Sequence, residues 1–129
     1  HTGTERTGRI LLVDNDPQVL SILGEMLKDA GHHVLPVPSG PEALRVFIPS
    51  GFDLIITNVG MPEMSGWDVA ERLRASDPQV PVIFITGWGL QEEDQARSRR
   101  LGISALLFKP VSPQDLHHTV QVALAARTR

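Results

Sequence analysis

The chain contains no cysteine, and its aromatic residues are few: two tryptophans and four phenylalanines in 129 residues. Without cysteine there is no disulfide frame, no thiolate metal site and no cysteine nucleophile, which fits the reducing cytoplasm where we expect the protein. No apolar run approaches the roughly 20 residues of a membrane span, and no positively charged leader precedes an apolar segment, so neither a membrane span nor a signal peptide is expected. Charge of one sign is also lacking, with 12 Lys and Arg against 15 Asp and Glu and a net charge of −3. The sequence has no basic stripe interleaved with aromatics, which argues against direct nucleic-acid binding. Its densest basic cluster, Arg97, Arg99 and Arg100, reads as the solvated face of a helix. The length suffices for one domain with a hydrophobic core and not for two.

Short apolar runs alternate with longer segments of helical period, the pattern of repeated βα units around a parallel sheet. His1 to Gly8 is polar and aperiodic, a flexible arm or an expression-vector remnant, and the domain is expected to run from 9 to 127. Ile10 to Val13 is the first strand, ending at Asp14-Asn15-Asp16-Pro17. Asp16 can cap a helix that Pro17 opens, with Val19, Ile22, Leu23, Met26, Leu27 and Ala30 on one face and Gly31 at its end. Val34 to Val37 is a short strand interrupted by Pro36, and Ser39 with Glu42 forms a capping box opening a helix through Phe47. Asp53 to Thr57 is a near-continuous apolar strand, as expected where both faces are covered. It leads through a loop to a helix carrying Trp67, Ala70 and Leu73. Val80 to Ile85 is the fourth strand, and the sparsely apolar stretch Gln91 to Leu101 is a weakly buried, mobile helix. Ala105 to Phe108 is the fifth strand, and Ser112-Pro113 with Asp115 starts a helix burying Leu116, Val120, Ala123 and Leu124.

In an open parallel sheet, ligands bind beyond the carboxyl ends of the strands, where the strand order reverses. The residues just after each apolar run are Asp14, Asn15 and Asp16, then Asn58, Thr86 and Lys109. Oxygen ligands, a hydroxyl and a lysine converging in one crevice suit a hard cation and a phosphoryl group. Singly, an Asp before a helix is most often a cap and a Lys before Pro is most often merely exposed; it is the set in this order that carries weight.

The segments Ile10-Leu-Leu-Val-Asp14-Asn15-Asp16, Asp53-Leu-Ile-Ile-Thr-Asn58-Val-Gly-Met-Pro62 with Gly66, Val82-Ile-Phe-Ile-Thr86-Gly87 and Leu107-Phe-Lys109-Pro110 resemble the receiver domain of bacterial response regulators, over Arg9 to Ala126. The resemblance implies a flavodoxin-like α/β fold, (βα)5 with a doubly wound parallel five-stranded sheet in the order 2-1-3-4-5. In that family an aspartate at the end of the third strand takes a phosphoryl group from a histidine kinase with the help of Mg2+. Carried over, Asp14, Asn15 and the Gly60 carbonyl occupy the metal positions and Asn58 the phosphoacceptor position. Thr86 and Lys109 occupy the phosphoryl-contacting positions, Leu106 stands where an aromatic switch residue is common, and Pro110 matches the family's cis-proline. The implied partners are a histidine kinase or phosphotransfer protein, or an attached output or kinase domain, and the family's use of its fourth helix, fifth strand and fifth helix leaves room for a homodimer.

Two carboxylates of the family's set are amides here, Asn15 and Asn58. An amide is no phosphoryl acceptor, because its nitrogen lone pair is delocalised and its oxygen carries no full charge. With Asp16 spent as a cap, the crevice charge goes from two negative in the family to zero, Asp14 balancing Lys109, so Mg2+ binding is expected to be weak or absent. Lys109 is expected to pair with Asp14, directly or through Asn58. A natural, non-enzymatic, degenerate receiver acting through protein contacts is the leading reading, since losing both acids exceeds what a deliberate phosphorylation-dead exchange needs. Trp88, two residues after Thr86, is a candidate substitute for the aromatic switch. A haloacid-dehalogenase-like phosphohydrolase using Asp14 and Asp16 is a competing enzyme class, weakened by the lack of a further acidic pair beyond Lys109. A flavodoxin-like nucleotide binder is weaker still, because no glycine-rich loop follows the first strand.

Overall fold

The computed structural model describes residues 5–87 and 92–127. Strands β1 (Arg9–Val13), β2 (His33–Val37), β3 (Leu54–Asn58), β4 (Val82–Thr86) and β5 (Ala105–Phe108) form one sheet in the order β2-β1-β3-β4-β5, with every adjacent pair parallel. Helices α1 (Pro17–Asp29), α2 (Gly40–Val46), α3 (Gly66–Ser76), α4 (Glu92–Leu101) and α5 (Pro113–Arg127) connect and follow them. Period-two alternation divides the strand side chains between two cores. Ile10, Leu12, Leu54, Ile56, Ile83 and Ile85 pack with Leu23 and Leu27 of α1 and Leu116 and Val120 of α5. Leu11, Val13, Ile55, Val82 and Phe84 pack with Ala43 of α2 and Trp67, Val69, Ala70 and Leu73 of α3.

The capping chemistry sets the helix starts. Asp16 accepts a bond from Gln18 N at 2.9 Å with Pro17 as the first helical residue. Ser39 accepts from Glu42 N, but the Glu42 carboxylate turns to Arg45 at 2.6 Å, so this cap is one-sided. The reciprocal box lies instead at α3, where Ser65 and Asp68 exchange both bonds. Ile22, expected on the buried face of α1, is 56% exposed, because the sheet covers a narrower stripe centred on Leu23 and Leu27. Pro36 does not interrupt β2; it sits in register with Leu12 on an edge strand, where a missing N–H is tolerated.

Residues 5–8, grouped with the arm in the sequence, are tied to the domain. Arg6 and Gln121 exchange two 2.8 Å bonds, Glu5 lies 3.1 Å from His117 of α5, and Gly8 N donates to His32 Nδ1 at 3.2 Å. Accepting on Nδ1 places the proton of the neutral His32 ring on Nε2, which has no hydrogen-bond partner among the described residues. Burial lowers the His32 pKa below its ordinary 6.5, the charge of His117 adds to this, and Glu5 opposes it. The folded state therefore binds fewer protons than the unfolded chain just below pH 6.5, so the contribution is full above that value and is lost as pH falls through the lowered one. Melting curves are expected to show lower stability at mildly acidic than at neutral pH, with a shallower pH slope in His32→Gln.

The fourth helix is as poorly buried as its composition suggests, but it is anchored. Arg74 of α3 donates to Val80 O at 2.7 Å, to Leu101 O at 2.9 Å and to Gly102 O at 2.8 Å, which satisfies carbonyls at the α4 C-terminus. Arg97 lies 5.0 Å from the centroid of the Trp67 ring, which itself meets Phe84 edge-on at 4.8 Å. Arg74→Met is expected to lower stability by about 1–2 kcal/mol. Hydrogen exchange should speed up in α4 more than in β1 or β3; uniform acceleration would mean that Arg74 supports the whole fold rather than this helix.

Candidate functional site

Residues from β1, β3, β4 and β5 meet beyond the carboxyl ends of the strands. Asp14 is almost fully buried, Asn58 is 7% exposed and Thr86 has no exposed surface. Parallel pairing puts these positions side by side, with Val13 opposite Thr57, Asn58 opposite Ile85, and Thr86 opposite Phe108. Lys109 follows directly, its amide donating to Thr86 O at 2.8 Å, and the Lys109–Pro110 peptide is cis.

The polar side chains are arranged in two sets. Asp14 Oδ1 accepts from Asp16 N at 2.9 Å, and Asp14 Oδ2 lies 3.0 Å from Lys109 Nζ, with side-chain exposures of 2% and 27%. This is the direct form of the pairing expected from sequence. Asn58 Nδ2 donates to Asn15 Oδ1 and to Gly60 O, each at 3.1 Å. The Gly60 carbonyl can only accept, so it fixes which end of the Asn58 amide points toward it.

The wall of the crevice is the β3–α3 loop. Gly66 N donates to Val59 O at 2.8 Å, and a Cβ at 66 would run into the Asn58 carbonyl and Val59 Cα, so only glycine fits there. Met64 N donates to Pro62 O at 2.7 Å around Glu63, whose φ is +70°. A tight turn with positive φ at a non-glycine residue is strained, and such strain gathers at functional sites. Met64 in turn packs against the bare Cα of Gly40 at the start of α2.

These oxygens do not fit the divalent cation of the receiver resemblance. A hard dication is held chiefly by anionic oxygens, and this crevice has one carboxylate, already facing an ammonium group. The Asn15 and Gly60 oxygens are both spent on the Asn58 amide. Among the described residues no group of three His, Cys, Asp or Glu could hold a metal.

Asp14, Asn15, Asn58, Gly60, Thr86 and Lys109 are thus brought together as the sequence reading requires. Leu106 is not among them, since it packs against the core that holds Trp67 and Phe84. Trp88 lies outside the described residues. The Asn15–Asn58 bond and the strained Glu63 have no sequence signal, whereas the Ser65-x-x-Asp68 spacing is itself the signal of the α3 capping box.

No helix among the described residues is long and apolar enough to cross a membrane. A family model described as the response regulator receiver domain matches residues 10–121. The chain is 33% identical over 121 residues to the transcriptional regulatory protein GlrR of Escherichia coli K12, covering 94% of this chain and 27% of that protein. It is 36% identical to an uncharacterized 14.6 kDa protein of Leptolyngbya boryana, covering 87% of this chain and 86% of that one. Among solved structures, a receiver domain protein from Clostridium thermocellum superposes with a TM-score of 0.85 at 30% identity, covering 92% and 95% of the two chains. The receiver domain of a signal transduction histidine kinase from Syntrophus aciditrophicus gives 0.80 at 31% identity, covering 95% and 93%. The chain spans about a quarter of the length of the GlrR relative. With the family model running from β1 into α5, and with the same fold in those relatives, this chain belongs to the response regulator receiver domain family.

Proposed function

We propose that this receiver domain does not accept a phosphoryl group and signals through protein contacts alone. The observation that carries the reading is Asn58. It stands at the acceptor position of β3, and its amide nitrogen is engaged by Asn15 and Gly60 while Lys109 faces Asp14. A resonance-stabilised amide offers no nucleophile for phosphorus, and a neutral crevice does not concentrate Mg2+. Asn58, Thr86, Lys109, Asp14, Asn15 and Gly60 then act as a structural set that holds the loops around the crevice, and Leu106 acts as core.

The partner is a histidine kinase, a phosphotransfer protein or a domain attached to this one. Relatives named as a transcriptional regulatory protein and as a sensor histidine kinase, of which the matched region is 27% and 12%, support an attached domain. The domain is not an enzyme in this reading. The use of Asp16 as the α1 cap speaks against the phosphohydrolase alternative, in which that residue would be the general acid.

Beryllofluoride, a phosphoryl mimic that needs an acceptor carboxylate, tests the proposal. With Mg2+ present, the backbone amide resonances of Asn58, Thr86 and Lys109 are expected to stay in place. A saturable shift of these three would show a working acceptor site.

A further inference from the structure

The β1–α1 loop presents Asn15 Oδ1, and the β3–α3 loop presents Gly60 O, to one and the same atom. That atom is Asn58 Nδ2, at 3.1 Å from each. Two acceptor oxygens turned toward one point repel each other unless a donor or a cation stands between them. Asn58 is 7% exposed, so water is a poor third choice. An –NH2 group carries two protons and can serve both oxygens at once. Asp14 Oδ1 accepts from Asp16 N, and Oδ2, which accepts no hydrogen bond among the described residues, is neutralised by Lys109 Nζ as an ion pair at 3.0 Å. The charge of Asp14 is thus balanced by Lys109, and the Asn15 and Gly60 oxygens are served by the Asn58 amide.

We infer that the side-chain amide of Asn58 replaces the divalent cation as the cross-link between the two loops, so that the crevice is held assembled without metal. This rests on the reading of the crevice as a receiver site, but not on whether phosphoryl transfer occurs, because its test reads loop stability and metal dependence. A carboxylate at position 58 would have no proton to offer Asn15 Oδ1 or Gly60 O. It would also face the buried Asp14, and an excess of negative oxygen at that point is what a hard cation relieves. Exchanging amide for carboxylate therefore converts metal-independent loops into metal-dependent ones.

The test compares the melting temperature of the full chain and of Asn58→Asp, each in EDTA and in excess MgCl2. The unmodified chain is expected to melt at the same temperature in both. Asn58→Asp is expected to melt about 5–10 °C lower in EDTA, and to regain most of that in MgCl2. Asn58→Ala, which loses both donors and gains no charge, is expected to be lowered equally in both buffers. Should the aspartate variant fail to fold in EDTA, the unmodified chain still decides the matter through its tryptophan fluorescence during a MgCl2 titration, expected to be flat. Saturable magnesium binding by the unmodified chain, or an Asn58→Asp variant as stable as the parent in EDTA, would overturn the inference. Phosphoryl uptake by the unmodified chain would instead overturn the proposed function, leaving the role of the amide to these melting curves.

Discussion

Changing Asn58 and Asn15 together to aspartate is expected to turn a chain that takes nothing from acetyl phosphate into one that carries up to about one phosphoryl group per chain in the presence of Mg2+. The new carboxylate at 58 would attack phosphorus, the bond to the acetate oxygen would break, and acetate would leave with the electron pair. The surroundings for this step are retained. Asp14 is buried at the end of β1, Thr86 is buried at the end of β4, and Lys109 reaches the crevice from the cis peptide after β5. Asn58→Asp alone is expected to react more slowly, because only Asp14 would join it in attracting the cation; the added acid at 15 supplies the missing charge. Intact mass before and after hydroxylamine reads the acyl phosphate. If the double variant stays unmodified while folding and binding Mg2+, the defect lies outside these two amides.

Lys109→Met is expected to destabilise the domain by about 2–3 kcal/mol, a large part of the roughly 5–15 kcal/mol that holds a domain of this size. The reason is Asp14, whose side chain is 2% exposed and whose nearest positive charge is Lys109 Nζ at 3.0 Å. Removing the ammonium leaves a buried carboxylate with only the Asp16 amide on Oδ1. Because Lys109 is itself 27% exposed, water relieves part of the loss, which puts it at or just below the bottom of the roughly 3–5 kcal/mol found for fully buried pairs. Adding Asp14→Asn removes the stranded charge while keeping an acceptor for Asp16 N, and is expected to recover most of the stability. Urea midpoints of the two single variants and the double variant read this cycle. Losses that simply add would show that the two groups act independently.

The fold was legible because a parallel sheet covered on both sides requires near-continuous apolar strands, and this chain supplies them at β1, β3 and β4 with helical spacing between. Helix starts were legible wherever one side chain makes the cap, as Asp16 does. Faces were less so: the apolar spacing put Ile22 inside, whereas periodicity gives a direction and not the width of the covered stripe. Contacts between distant segments were legible only where a charge demanded a partner, as for Lys109 and Asp14. Arg74 lies 27 residues before Leu101, whose carbonyl it binds, and nothing in the weakly apolar α4 pointed to that anchor. The site shows the same division. Its members could be read from the ends of the strands, and the Lys109–Asp14 pair from charge balance. The bond from Asn58 to Asn15, 43 residues apart, could not, because two amides carry no charge that demands a partner.

If Asn58 ends the chemistry of this receiver site, the unmodified chain takes up no phosphoryl group. The measurement that bears on it most directly is the intact mass of the unmodified chain after prolonged incubation with acetyl phosphate and MgCl2, with the double Asn15→Asp, Asn58→Asp variant run alongside. The expected result is an unmodified parent beside a variant that gains one hydroxylamine-sensitive phosphoryl group. A hydroxylamine-sensitive adduct on the parent itself would mean that Asn58 does not end the chemistry.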